Sequence, residues 1–142
     1  MMQANHVLTV PTRGKGFIEL TRALASWLDS FGANSGLLTV FVAHTSASLT
    51  IQENADPNVR RDLLDTLEIL APEDRNYAHA DEGPDDMPAH IKAMLTSVSL
   101  TIPVHDGRMV LGTWQGVFLI EHRTQPHQRN VALNFMGDVA DV

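Results

Sequence analysis

Apolar positions fall into short runs whose spacing changes along the chain, and those changes mark out strands and helices. His6 to Thr12 (HVLTVPT) sets Val7 and Thr9 against Leu8 and Val10 and predicts a strand ending at Pro11. Beyond it, Phe17, Leu20, Leu24, Trp27, Leu28 and Phe31 recur at helical spacing. Gly32 sits where a glycine commonly closes a helix, and Gly14-Lys15-Gly16 is read as the helix start. Gly36 to Ala43 (GLLTVFVA) is apolar on both faces, so it reads as a strand covered on both sides, and it delivers His44 at its end. Leu49 to Glu53 is a weaker strand candidate.

Asp56-Pro57 resembles an N-cap followed by proline at the first helical position, and Val59, Leu63, Leu67 and Leu70 continue as a helix over Pro57 to Leu70. Ala71 to Asp86 has no apolar period and carries Pro72, Gly83 and Pro84, which predicts a long loop. Loops of that length in compact domains are usually functional or disordered, so this one is the first functional suspect. A short helix from about Pro88 rests on Ile91, Met94 and Leu95. Val98 to Val104, Met109 to Leu111, Val117 to His122 and Asn130 to Phe135 read as strands, a β-meander candidate. The pattern is that of an α+β protein.

Composition narrows the function. The 142 residues suit one domain over 1–142 with a core that needs no staples. A formal charge of -7 opposes the phosphate neutralisation that nonspecific DNA or RNA binding requires, so no nucleic-acid partner is expected. No cysteine is present, which leaves His, Asp and Glu to supply any metal ligands. No apolar stretch approaches the roughly 20 residues of a membrane span, and the start MMQANH runs directly into a strand; no membrane partner and a cytoplasmic location are expected.

Three places carry candidate chemistry. After Val117-Phe-Leu-Ile120, one of Glu121 and His122 must point the way of buried neighbours and needs a partner. The plainer reading there is a hydrogen bond or an ion pair, for instance with Arg123 or Arg108. His44 leaves its strand into Thr45, Ser46 and Ser48, where hydroxyls either satisfy loop backbone or build a site on a rigid scaffold. Asn76 to His90 (NYAHADEGPDDMPAH) is the densest cluster: His79 and His90 bracket Asp81, Glu82, Asp85 and Asp86. Imidazole with carboxylate is a ligand set for zinc and other divalent metals, although the spacing matches no standard motif and a solvated acidic loop is the alternative. Asp85 and Asp86 also precede a helix start, whose positive end they complement. His6, His105 and His127 lie beside turns or the terminus and are read as solvent-facing. Neither a G-x-S-x-G elbow nor a phosphate-binding glycine motif occurs.

HTSASLTIQENADPNVRRDL from His44, HADEGPDDMPAHIK from His79, SLTIPVHDGR from Ser99 and LGTWQGVFLIEHR from Leu111 together resemble the YjbQ-like family over nearly the whole chain. The resemblance implies a three-layer β/β/α fold with mixed or antiparallel sheets, two longer helices and one short helix, assembled as a homotrimer. It also implies a metal site. The matching histidines are His44, His79, His90 and His122, with His79, His90 and His44 expected as ligands and His122 as substitute or supporting residue. Asp85, Asp86, Glu121 and Arg123 are the expected catalytic groups. The implied cofactor is a divalent metal, zinc first, magnesium or manganese otherwise. The implied activity is a weak, secondary thiamine-phosphate synthase reaction, which joins a pyrimidine diphosphate to a thiazole phosphate and releases pyrophosphate. There a metal clamps the pyrophosphate while Arg108, Arg123 or Arg129 offsets its charge. The alternative is a module that binds a metal or small anion without turnover, with the metal stabilising the site or a subunit interface. Thr124 to Gln128 departs from a more glycine-rich stretch of the family, so specificity differs if that turn contacts substrate.

Overall fold

In a computed structural model that describes residues 1–141, the chain forms eight strands and three helices among those residues. A five-stranded sheet has the order β1 (Met2–Pro11), β8 (Gln128–Val139), β3 (Ala33–Val42), β5 (Ser99–His105), β6 (Arg108–Met109). A three-stranded sheet has the order β2 (Gly16–Glu19), β7 (Gln115–Glu121), β4 (Ala47–Glu53). Every ladder between these strands is antiparallel.

Strand alternation decides which side chains meet between the sheets. Leu38, Val40, Val42, Val131, Leu133 and Phe135 point inward from the larger sheet, and Leu49, Val117 and Leu119 answer from the smaller one. Leu24 and Leu28 of α1 (Thr21–Ser30) enter the same core. Phe118 and Ile120, the other parity of β7, face outward beneath α2 (Pro57–Leu70), where Arg60 sits 5.3 Å over the Phe118 ring. Together with α3 (Asp86–Leu95), α2 supplies the third layer. Asp56 caps α2 as its sequence predicts, accepting from the Asn58 N–H at 2.9 Å.

Several expectations change. Gly14 to Leu20 does not begin a helix: Phe17 and Ile18 are paired with Ile120 and Leu119, and α1 starts at Thr21. The helical period from Phe17 arises because Phe17 faces outward, edge-on to Phe118, while Ile18 packs on the core. The C-terminal strands form no meander. Strand β7 leaves for the smaller sheet, and β8 returns to lie between β1 and β3. Strand β3 is not covered on both sides, since Leu37 and Phe41 are 49% and 44% exposed on the outer face. In α3 the apolar residues face the wrong way for the predicted helix: Met94 and Leu95 are exposed, whereas Asp86, Ala89, Lys92 and Ala93 are buried.

Candidate functional site

The polar loop 71–85 ends at α3, and the first turns of that helix decide what the loop can do. Asp86 and His90 are one helical turn apart, so both project to one side, and the loop brings His79 over the same spot. His79 Nε2 donates to Asp86 Oδ2 at 2.7 Å, and His90 Nε2 lies 3.4 Å from the same oxygen. The two imidazoles meet edge to face with centroids 5.4 Å apart. Asp86 is buried while His79 remains half exposed, so the group is anchored on one side and reachable on the other. A cleft of about 310 Å³, lined by Tyr77, His79, Gly83 and Met87, opens beside it. A roomier groove of about 490 Å³ between α2 and the smaller sheet is lined by Phe17, Leu63, Leu67 and Ile120, has no ionisable side chain and stands apart from the histidines.

Arg123 fixes the loop. Its Nε donates to Asp85 Oδ2 at 2.9 Å, Nη1 to Asp86 Oδ1 at 2.8 Å and Nη2 to the Glu82 carbonyl at 2.8 Å. Asp85 Oδ2 also accepts from the Thr124 N–H at 2.8 Å. Burial alone would raise the Asp85 and Asp86 pKa values, but hydrogen bonds from Arg123 and His79 and the guanidinium charge outweigh it, holding both below the ordinary aspartate value. Both stay carboxylates at neutral pH.

Among the described residues, His79, Asp86 and His90 are the group whose ligand atoms all lie within 4.8 Å of one another. Bonds of about 2.0–2.1 Å to a tetrahedral zinc place neighbouring ligand atoms about 3.3 Å apart. The 3.4 Å separation of His90 Nε2 and Asp86 Oδ2 matches that spacing. The His79–Asp86 contact is a hydrogen bond, and His79 would have to give up its Nε2 proton to serve as a ligand there. The donor set is one that would fit a divalent ion, which His79, Asp86 and His90 would hold.

His44 and His122 stand outside this group. His122 is buried, 2.8 Å from Ser48 Oγ. His44 is exposed, but its Nδ1 faces the Ser46 N–H at 3.1 Å and the Ser46 hydroxyl at 3.0 Å. Its Nδ1 accepts the backbone N–H of Ser46, and the ring is not among the ligand atoms that converge with Asp86. Burial and then the Arg129 charge lower the His44 pKa, which keeps the ring neutral.

Glu121 and His122 are both buried, and Glu121 makes no ion pair with the guanidinium of Arg123 or Arg108, although it accepts the Arg123 backbone N–H. Its partner is Arg129: Nε donates to Oε1 at 2.8 Å and Nη2 to Oε2 at 2.5 Å. With Thr12 on Oε1 and the Arg123 N–H on Oε2, Glu121 is fully engaged. Strand parity could have revealed this pair. Glu121 shares the inward parity of Val117 and Leu119, and Arg129 shares that of Val131, Leu133 and Phe135, so two opposite charges face the same interior.

Comparison with known proteins agrees with the fold and motifs. Residues 6–138 match the family described as UPF0047 protein YjbQ-like. The chain is 51% identical over 138 residues to a UPF0047 protein of Synechocystis, covering 96% of this chain and 94% of that one. It is 42% identical to the UPF0047 protein YjbQ of Escherichia coli O157:H7, covering 92% and 96%. A conserved hypothetical protein of known structure from Thermus thermophilus superposes with a TM-score of 0.82 at 40% identity, covering 92% of this chain and 99% of that one. The chain belongs to the YjbQ-like UPF0047 family.

Proposed function

We propose that the protein is a metal-dependent enzyme acting on a small phosphorylated metabolite, with His79, Asp86 and His90 as the ligands of a divalent ion, zinc first. The observation that carries this reading is the convergence of three ligand atoms, one on a buried carboxylate whose other oxygen is held by Arg123. A structural zinc is closed by four protein ligands, whereas a catalytic one keeps a position free. A divalent ion there supplies Lewis acidity toward a phosphoryl oxygen. Asp85 and Arg123 hold the loop that presents His79, so their catalytic role is to position, and Glu121 acts from further inside through Arg129. Thiamine-phosphate synthesis is the reaction this family resemblance offers, with release of pyrophosphate beside the ligand cluster.

The test is metal content per subunit by elemental analysis after loading with zinc or manganese. Wild type should hold about one divalent ion per chain, and His79→Ala and His90→Ala should each lose most of it with unchanged far-ultraviolet circular dichroism. Equal metal content in wild type and both variants would sink the ligand assignment.

A further inference from the structure

Arg75 is the single lysine or arginine of the loop 71–85, and it shares a cleft with the histidine cluster. Glu73, Arg75, Tyr77, His79 and Met87 all line that cleft, so Arg75 and His79 open onto one space of about 310 Å³. Tyr77 forms the wall between them. Its hydroxyl donates to the Pro72 carbonyl at 2.7 Å and the residue is partly buried, which fixes the ring. The Arg75 guanidinium carbon sits over that ring, 5.5 Å from its centroid. A ring face attracts the cation but offers no lone pair, so the N–H groups of the fork still lack acceptors.

In a chain of net charge -7, the other cations around this loop are already matched. Arg123 holds Asp85 and Asp86, Lys92 contacts Glu68, and Lys15 contacts both Glu68 and Glu73. Glu73 is the carboxylate on the cleft wall, and Lys15 neutralises it. Asp74, Asp81 and Glu82 are exposed and do not line the cleft. Arg75 has neither an ion-pair partner nor a hydrogen-bond acceptor among the described residues. The cleft therefore presents an uncompensated guanidinium beside the uncharged walls of Tyr77, Pro84 and Met87.

We infer that Arg75 selects the substrate: it takes the terminal oxyanion, a phosphate monoester or a carboxylate, of a small molecule whose body lies against Tyr77 and Met87 and whose other end reaches His79. This deepens the proposed function and rests on its reading of the His79 side as the reacting side. The planar fork of an arginine meets two oxygens of either group at once, whereas a lysine supplies charge without that match. Ligand pockets run from roughly 300 to 1,000 Å³, so a cleft of about 310 Å³ suits a compact metabolite.

The chain has a single tyrosine, so NMR of the tyrosine-labelled, metal-free full chain reports the Tyr77 ring alone. Phenyl phosphate or phenylacetate should move its signals in a saturable titration, and the one that binds identifies the oxyanion. Benzyl alcohol, the neutral counterpart, should bind far more weakly. Arg75→Met keeps an unbranched side chain near the ring but no donors. It should weaken anion binding by about tenfold or more, the weight of a hydrogen bond to a charged group, with zinc content unchanged, and Arg75→Lys should recover only part of the loss. A Tyr77 ring that responds to neither anion, equal binding of benzyl alcohol, or unchanged affinity in Arg75→Met would overturn the inference even if wild type holds zinc. Absence of zinc from wild type, with anion binding still dependent on Arg75, would instead remove the metal reading and leave this site standing.

Discussion

His122 has the outward parity of Phe118 and Ile120 and so ends up under the helical layer, where Lys92 faces it. Burial, with the Lys92 charge second, lowers its pKa from 6.5 to about 4. Above pH 6.5 the ring is neutral whether the chain is folded or not, and no penalty arises. As pH falls through the window from 6.5 to about 4, the unfolded chain takes up a proton that the folded chain refuses, and stability drops. The full loss is about 3 kcal/mol, reached near the folded pKa. Below that window the carboxylates Glu121, Glu68 and Asp85, whose pKa values are lowered on folding by Arg129, Lys92 and Arg123 against their burial, add further losses as they protonate. Urea midpoints of wild type and His122→Gln, followed across this range, should diverge, with the glutamine variant giving the shallower slope. Parallel slopes would show that His122 is not the titrating group. At this scale the sequence identified His44, His79, His90 and His122 as residues of interest, but not which of them converge. Imidazole tautomers and the partners of Ser46, Ser48 and Thr12 depend on contacts between segments far apart in the chain, which no local pattern encodes.

The elements were legible where one period dominated, as in α2, whose bounds Pro57–Leu70 match the Asp56-Pro57 signal and the leucine spacing. They were misread where a tertiary partner overrides the local pattern. Helix α3 is the clearest case: its register is set by Asp86 reaching Arg123 and Lys92 reaching Glu68, and these polar anchors turn Met94 and Leu95 toward solvent. Lys92 is 2% exposed and its ammonium group binds Glu68 of α2, which Lys15 also contacts. The two halves of this pair are unequal, because Glu68 is 42% exposed and can hydrate when left alone, whereas Lys92 cannot. Glu68→Ala should therefore cost about 1–3 kcal/mol, a value below that of a fully buried pair. Lys92→Met removes the buried charge along with its partner contact, and its cost should stay within about 1 kcal/mol. Thermal or chemical unfolding of the two variants checks the order, and a larger loss for Lys92→Met would contradict it.

For the whole molecule, the α+β class followed from the pattern, whereas the layering into two packed sheets and helices was implied only by the family resemblance. Glycine turns look alike whether the next strand stays in its sheet or leaves it, and β7 leaves. The misjudged outer face of β3 has a wider meaning. Val7, Leu37, Phe41 and Met136 share the outer face of the five-stranded sheet, joined across the ladders with Thr39, Asn134 and Asn5. From Gln3 to Thr9, Leu37 to Phe41, Ser99 to Pro103 and Asn130 to Met136, the outward positions carry no charged side chain. A chain of net charge -7 that keeps one sheet face uncharged and partly apolar is suited to covering that face with another copy of itself. The homotrimer that the family resemblance implies is accordingly proposed to form through this face. Phe41→Glu puts a carboxylate at its centre without touching the inward core residues Val40 and Val42. Light scattering coupled to size-exclusion chromatography should give a trimer for wild type and a folded, smaller species for the variant. A variant that keeps the wild-type mass would move the contact to another surface, and a monomeric wild type would remove the proposal.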